Sequence, residues 1–229
     1  MLSVRRARKA IHSVWMRLYA ITDRRSLGEG QEERLRRLLV LADDWARGGV
    51  DFLQIREKDL PPADLLDLSR QIVAVVRSTG AATRVLVNGD AGLARESGAD
   101  GVHLPGGVLS GRIVEARKRW IEFGGAAGPV VSVACHSTAE VERARDEGAT
   151  MAVFAPVFGK QLDSGEVVPG AGLDELAEAC RVAGGMPVFA LGGITAFNAR
   201  RCIEAGAAGI AAIRLFAADD WLALRASHK

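Results

Sequence analysis

A short motif that starts with glycine recurs four times along the chain and most constrains its fold. Each copy follows a segment with helical spacing and starts an apolar run, and the copies are Gly49-Val-Asp51, Gly98-Ala-Asp100, Gly148-Ala-Thr150 and Gly206-Ala-Ala208. They are spaced roughly 50 to 58 residues apart, which is about twice the length of one strand–helix unit. The chain therefore repeats a pair of strand–helix units.

Four further apolar segments alternate with these copies and complete the set of strands. They span residues 17–22, 84–87, 129–133 and 187–191. Eight short apolar strands that alternate with helices predict a parallel sheet covered by helices. In 229 residues, eight such units favour a closed (β/α)8 TIM barrel, an α/β fold, over an open doubly wound sheet. No Gly-x-Gly-x-x-Gly follows the first strand, which counts against a dinucleotide fold.

Composition and charge limit the number of domains and the class of partner. Residues 1–16 form a basic extension without the apolar core of a secretory signal, and residues 17–229 form the predicted barrel. A net charge of +2 is too small to indicate nucleic acid. No apolar run approaches the roughly 18 residues of a membrane span. Three cysteines without paired spacing indicate a reducing, cytoplasmic compartment. Self-association into a homo-oligomer is left open.

In a (β/α)8 barrel the active site lies at the carboxyl ends of the strands. The residues that follow the predicted strands are therefore the candidates for ligand binding and catalysis. In chain order they are Gln54, Arg56, Lys58, Asn88, His103, His136, Lys160, Gly192, Gly193 and Arg214.

Two of these groups suit an anion. Gln54, Arg56 and Lys58 alternate along the second strand, so they share one face, and all three donate hydrogen bonds. Gly192 and Gly193 let the backbone approach a ligand closely, and the helix expected to follow them would offer free N–H groups to a phosphate. A solvated edge strand and a plain turn are the alternative interpretations. Asn88, Lys160 and Arg214 complete the predicted phosphate-binding set.

His136 is the predicted catalytic residue because imidazole can give and take a proton near neutral pH. The alternative is a histidine that lies over a helix start, since Ser137 and Glu140 have capping-box spacing. His103 is more often structural at such a position. The only acidic residue after the third strand is Asp90, which is thin support for a metal, and no metal ligand is assigned.

Several segments resemble the thiamine phosphate synthase/TenI family, in the same order along residues 17 to 216. The segments are Leu18-Tyr-Ala-Ile-Thr-Asp23, Leu53-Gln-Ile-Arg-Glu-Lys-Asp59, Gly98-Ala-Asp-Gly-Val-His-Leu104, Pro156-Val-Phe158 and Leu191-Gly-Gly-Ile-Thr195. The resemblance implies a (β/α)8 barrel that handles thiazole phosphate in thiamine synthesis.

The family's synthase branch joins a pyrimidine diphosphate to thiazole phosphate, releases pyrophosphate and uses Mg²⁺. Its pattern has Asn-Asp after the third strand, where this chain has Asn88-Gly89, and Gly-Gln-Glu-Asp after the fourth, where this chain has Pro105-Gly-Gly-Val108. The synthase loop after the sixth strand carries a Thr-x-Thr-Lys run, of which only a shifted Lys160 remains in this chain. After the eighth strand, Arg214 stands where the synthase has Ser. The set Gln54, Arg56 and Lys58 is retained.

The TenI branch also lacks the metal aspartates, and the resemblance therefore favours a thiazole tautomerase, an isomerase. In that branch a histidine at the position of His136 carries out a metal-independent proton shift on a phosphorylated thiazole, and no cofactor is expected. The alternative is the synthase, a transferase, with Mg²⁺ as cofactor and the pyrimidine diphosphate as second substrate. A third possibility is a non-catalytic regulator that binds a thiamine-pathway phosphate.

Overall fold

A computed structural model describes residues 16–107, 111–161, 167–218 and 221–226, so the predicted extension over 1–16 lies outside the described residues except for Met16. Eight parallel strands form a barrel, namely β1 Arg17–Ile21, β2 Phe52–Ile55, β3 Arg84–Asn88, β4 Gly101–Leu104, β5 Val130–Cys135, β6 Met151–Phe154, β9 Val188–Ala190 and β10 Gly209–Ala212. The barrel closes in the order β1-β10-β9-β6-β5-β4-β3-β2. The predicted (β/α)8 fold is confirmed.

Helices cover the outside of the barrel between the strands. They are α1 Gln31–Arg47, α2 Pro62–Ser78, α3 Ala91–Glu96, α4 Arg112–Glu122, α5 Thr138–Asp146, α6 Gly172–Val182, α7 Ala199–Glu204, α8 Arg214–Ala217 and α9 Leu222–Ala226, with a 3₁₀ helix at Arg24–Ser26. In α1 the residues Leu38, Ala42 and Trp45 are buried, as the helical spacing predicts. Within the described residues, no helix is long and apolar enough to cross a membrane.

The glycine of each repeated motif ends the preceding helix. Gly49, Gly98, Gly148 and Gly206 have φ of 78°, 81°, 84° and 103°, in the left-handed region that favours glycine. A side chain with a Cβ would be strained at each of these four positions. The repeat is therefore explained by the turn from helix to strand.

In three of the four copies, the side chain of the third residue of the motif ties the amino ends of neighbouring strands together. The backbone N–H of Leu18 donates to Asp51 Oδ2 at 2.8 Å, and that of Val85 donates to Asp100 Oδ2 at 2.7 Å. Thr150 Oγ1 accepts from the N–H of Val131 at 3.0 Å. These side chains stabilise the end of the barrel opposite the predicted site.

Apolar side chains fill the barrel interior. Tyr19, Phe52 and Phe189 have ring centroids 5.5 to 5.7 Å apart, and Leu86 and Val153 pack in the same cluster. A filled interior is usual for this fold. A ligand can therefore reach only the residues at the mouth.

The segment after β6 contains secondary structure of its own. It contains a short antiparallel pair, β7 Lys160–Gln161 and β8 Val167–Val168. A Cβ on Gly170 would lie 2.4 Å from the Val157 carbonyl oxygen, so glycine lets the returning chain pack on the outgoing one.

Candidate active site

Side chains at the end of β2 and in the segment after it lie alternately on two sides, one at the barrel mouth and one facing Arg24. Gln54 is buried towards the barrel interior, Arg56 is half-buried and Lys58 is exposed. Glu57 and Asp59 alternate with them and contact Arg24 in the segment after β1. The alternation of charges in Arg-Glu-Lys-Asp therefore separates two cations from the carboxylates beside them in sequence.

Arg24 and the two carboxylates form a mostly buried ionic cluster. Arg24 Nη1 donates to Glu57 Oε2 at 3.0 Å and to Asp59 Oδ1 at 2.7 Å, and Nη2 donates to Asp59 Oδ2 at 2.9 Å. The Arg24 backbone N–H also donates to Glu57 Oε1 at 3.1 Å. The hydrogen bonds from Arg24 lower the pKa of Asp59. The cluster joins the segments that follow β1 and β2.

Thr22 fixes the backbone from which Arg56 projects. The Thr22 side chain is fully buried, its Oγ1 accepts from the N–H of Arg56 at 2.9 Å, and its own N–H donates to the Gln54 carbonyl at 2.9 Å. Together with the Arg24 cluster, this contact restricts where the guanidinium of Arg56 can reach.

Below the mouth lies a buried polar cluster around His103, the candidate for which a structural role was expected. His103 on β4 is in register with Ser132 on β5, and its Nδ1 lies 2.9 Å from Ser132 Oγ. The Tyr19 hydroxyl lies 3.4 Å from both Ser132 Oγ and His103 Nδ1. Every second residue of a strand points into the barrel, and this alternation along β4 and β5 is the sequence signal that could have identified the cluster.

His103 is held neutral. Burial, together with smaller contributions from the positive charges of Arg56 and Lys58, lowers its pKa from 6.5 to about 3. The two cations act on a residue inside the mouth, so their field reaches the barrel interior.

Gln54 and Asn88 form an amide pair in the same polar region. Gln54 Nε2 donates to Asn88 Oδ1 at 3.2 Å. Gln54 is 1% exposed, and its Oε1 is buried without a hydrogen-bond partner among the described residues. A buried acceptor without a partner is costly, so Gln54 Oε1 carries an unpaired lone pair beside the amide pair.

His136 lies at the rim directly after β5, as predicted, and its side chain is exposed. Its Nδ1 lies 2.8 Å from the Ala155 carbonyl oxygen. A carbonyl only accepts, so Nδ1 carries the hydrogen and Nε2 of the neutral ring is left to accept a proton. Glu140 Oε2 accepts from the His136 N–H at 2.6 Å, while Ser137 Oγ accepts from the N–H of Glu140 at 3.3 Å.

Gly192 and Gly193 follow β9 with φ of 102° and 63°. Cβ atoms there would lie 2.7 Å from Pro156 Cα and 2.8 Å from Phe158 Cβ, so packing against the segment after β6 also requires glycine. Their N–H groups have no acceptor among the described residues. The next helix, α7, starts only at Ala199, later than predicted, and the phosphate site there would consist of loop N–H groups.

The remaining predicted residues lie around this rim. Arg214 starts α8 and is exposed, and the preceding Ile213 packs on the barrel interior instead. Lys160 starts β7, and its side chain lies outside the described part of the structure. Two clefts of about 480 and 360 Å³ lie at the opposite end of the barrel, around Arg17, Asp51 and Pro187.

The donor set at the mouth does not fit Mg²⁺. Asp90 Oδ1 accepts from the N–H of Leu93 at 3.0 Å as the cap of α3, and its Oδ2 lies 3.4 Å from Arg119 Nη2. Gly89 and Gly107 carry no ligand atoms on their side chains. Within the described residues no group of three or more His, Cys, Asp or Glu could hold a metal ion. Mg²⁺ is usually bound by one or two carboxylates together with substrate phosphates.

Comparison with known proteins identifies the family. A model of the family "Thiamine monophosphate synthase" (TMP-TENI) matches residues 18–216. This chain belongs to that family. The match spans the barrel and all the rim segments described above.

Family relatives resemble the chain over most of its length. A putative thiamine-phosphate synthase of Geobacter sulfurreducens is 36% identical, with 88% of this chain and 87% of the relative covered. A thiamine-phosphate synthase of Methanoculleus marisnigri is 37% identical, with 86% and 85% covered. A thiamine phosphate pyrophosphorylase structure from Pyrococcus furiosus has a TM-score of 0.72 at 25% identity, with 93% of this chain and 95% of that chain covered.

Proposed function

We propose that this family member is a thiamine-phosphate synthase that joins hydroxymethylpyrimidine diphosphate to thiazole phosphate and releases pyrophosphate. The observation that carries the proposal is that two separate sets of groups able to bind an anion lie at one mouth. Arg56 and Lys58 follow β2, and the free N–H groups of Gly192 and Gly193 follow β9, with β1 and β10 between these strands. Two phosphorylated substrates need two such sets, whereas a tautomerase needs one.

The names of the relatives support the same proposal, because they are called thiamine-phosphate synthases. In this assignment Arg56 and Lys58 hold the diphosphate and stabilise the charge that develops on departing pyrophosphate. The glycine pair holds the phosphate of the thiazole, and Lys160 and Arg214 are candidates for further contacts with these anions. No step is assigned to Mg²⁺, because the described donor set does not fit it.

A TenI-type thiazole tautomerase is the second candidate, and the geometry of His136 favours it. Nδ1 is directed to the Ala155 carbonyl, so Nε2 can take a proton from carbon and return it to another ring position without a metal. The missing carboxylates agree with this reaction. None of the relatives described above is named a tautomerase.

Product analysis separates these candidates. The chain is incubated with both phosphorylated substrates, and thiamine phosphate and pyrophosphate are measured with and without EDTA. In parallel, it is incubated with the non-aromatic thiazole carboxylate phosphate, and aromatisation is followed. Formation of thiamine phosphate supports the synthase, and aromatisation alone supports the tautomerase. Binding of both phosphates without turnover in either assay would indicate a regulator.

A matched pair of arginine variants tests the role of the cations. Arg56→Gln should lower the rate of thiamine phosphate formation, because it removes one charge at the mouth. Arg36→Gln removes an equal charge from the exposed face of α1, where Arg36 contacts Glu33 at 2.8 Å, and should leave the rate unchanged. Equal effects in the two variants would contradict the assignment of the diphosphate to Arg56.

A further inference from the structure

The end of the barrel opposite the mouth carries two arginines at inward positions of its strands. Arg17 precedes Tyr19 by two residues on β1, and Arg84 precedes Leu86 by two residues on β3. Tyr19 and Leu86 belong to the apolar cluster inside the barrel, and side chains alternate between the two faces of a strand. Both arginines are exposed, so they lie on the inward side of the amino end, where a ligand can reach them.

The two arginines line one cleft, the cleft of about 360 Å³ at this end. Phe52 on β2 is in register with both Tyr19 and Arg84, so it lies between the strands that carry the arginines. Phe52 and Met151 also line the cleft and are only 8% and 3% exposed, so they close it towards the barrel interior. Its volume is at the low end for small-molecule sites, about 300 to 1,000 Å³.

The charge of this cleft is not balanced within the described residues. Neither of its two guanidinium groups donates to an acceptor there, whereas Arg36 and Arg47 pair with carboxylates of α1. The one carboxylate among the lining residues, Asp51, already accepts from the N–H of Leu18 at 2.8 Å and from Arg225 Nη2 at 3.2 Å. The cleft is therefore left with a net positive charge that suits an anion.

Backbone donors directly before β3 add to this set. Ala82 and Thr83 line the cleft, and their N–H groups have no acceptor in the described part of the chain. Thr83 is 2% exposed, and its side chain is already engaged, since Oγ1 donates to the Val50 carbonyl at 2.6 Å. Buried N–H groups are nearly always paired, so unpaired N–H groups beside two cations indicate a position for an anionic acceptor.

We propose that the amino end of the barrel binds the phosphate group of a small phosphorylated molecule between Arg17 and Arg84, separately from the mouth. Guanidinium groups match phosphate oxygens in a bidentate geometry, and the two N–H groups before β3 supply further donors. The apolar floor of the cleft suits a compact, uncharged group attached to the phosphate. This site does not depend on the reaction at the mouth.

Amide NMR of the full chain reads the two ends of the barrel separately. With inorganic phosphate as the probe, we expect the amide signals of Ala82 and Thr83 to shift and to reach saturation, while those of Gly192 and Gly193 report the mouth. Sodium chloride at the same ionic strength should not reproduce the shifts of Ala82 and Thr83. Phenyl phosphate should saturate these shifts at a lower concentration, because its ring can bury apolar surface on the floor of the cleft.

Arginine variants test which side chains bind the phosphate. Arg17→Gln and Arg84→Gln each remove one charge and should weaken phosphate binding at the amino end about 10-fold, the lower end of the effect of a hydrogen bond to a charged group. The signals of the mouth glycines should respond as in the unsubstituted protein. Arg36→Gln removes an equal charge from the exposed face of α1 and should leave the affinity unchanged.

The titration of the unsubstituted protein is decisive without any variant. Absent shifts at Ala82 and Thr83, or shifts that grow without saturation, would overturn the proposal. Equal weakening in Arg36→Gln and Arg17→Gln would also overturn it. If a glutamine variant does not fold, Arg17→Lys keeps the charge without the planar fork and should still weaken binding, and an unchanged affinity would refute the bidentate contact. Phenyl phosphate that binds no more tightly than inorganic phosphate would refute the class of ligand.

Discussion

Removing the guanidinium of Arg24 should destabilise the fold and disturb the mouth together. Arg24 is 8% exposed and Glu57 is 4% exposed, so Arg24→Ala leaves a buried carboxylate with only a backbone N–H for a partner. Breaking a buried ion pair by removing one partner costs about 3 to 5 kcal/mol. The half-exposed Asp59 regains water in the variant, and the lower end, about 3 kcal/mol, is therefore expected.

Urea unfolding followed by far-UV circular dichroism measures this loss. An exposed arginine provides the control: Arg47→Ala breaks a contact with Asp43 of 2.7 Å on α1, and no measurable change is expected, since exposed ion pairs contribute little. The double substitution Arg24→Met with Glu57→Leu removes both buried charges and should recover most of the stability.

The same cluster positions the cations, and the loss of Arg24 should therefore also weaken pyrophosphate binding. We expect a 3- to 10-fold weaker affinity in Arg24→Ala under conditions where the variant is fully folded, about the effect of one hydrogen bond. If Arg24→Ala and Arg47→Ala unfold at the same urea concentration, the cluster does not stabilise the fold. If only stability changes, it does not position Arg56 and Lys58.

Further predictions concern the mouth. Arg56→Ala should weaken pyrophosphate binding by roughly 1.5 to 3 kcal/mol, the value of hydrogen bonds to charged groups; unchanged calorimetric affinity would contradict this. His136→Asn should lower the turnover of a reaction that uses it as acid/base by a factor of about 10² to 10⁴ with pyrophosphate affinity intact; an unchanged rate would exclude that role. Gly106→Ala should also lower that turnover, and it should have no further effect in the His136→Asn background. Burial lowers the pKa of His103 to about 3, so the unfolded chain binds more protons between pH 6.5 and pH 3, and stability should fall with falling pH there by up to about 1.4 kcal/mol per unit. The slope should be smaller in His103→Gln when urea unfolding is measured across this range.

Most of the fold was predictable because its determinants are local. The glycines of the repeated motif have to adopt positive φ wherever a helix turns back into a strand, and that need recurs at each pair of strand–helix units. The order of the strands then follows from right-handed crossovers. The antiparallel pair after β6 was not predictable, because it depends on contact between Gly170 and the backbone near Val157, thirteen residues away in sequence.

Only the part of the site that depends on the alternation of side chains along a strand and on position after a strand could be predicted from the sequence. These placed Arg56, Lys58 and His136 at the mouth. The role of His103 depends on Tyr19 and Ser132, which come from two other strands, and no spacing in the sequence brings these three together. The sequence also did not distinguish the charged residues that follow β2 from one another, although Arg56 lies at the mouth and Glu57 belongs to the buried cluster with Arg24.

The glycine after β4 and the orientation of His136 are coupled. A Cβ on Gly106 would lie 2.8 Å from His136 Nε2 and 2.9 Å from Cδ2, closer than real Cβ contacts, so a side chain at residue 106 would push on the ring in the orientation that contacts Ala155. In the synthase pattern this position is glutamine, and the acidic residues follow it. Introducing that pattern here would therefore crowd the His136 ring as well as add acidic side chains, and the two changes would have to be separated by testing the substitution at residue 106 alone.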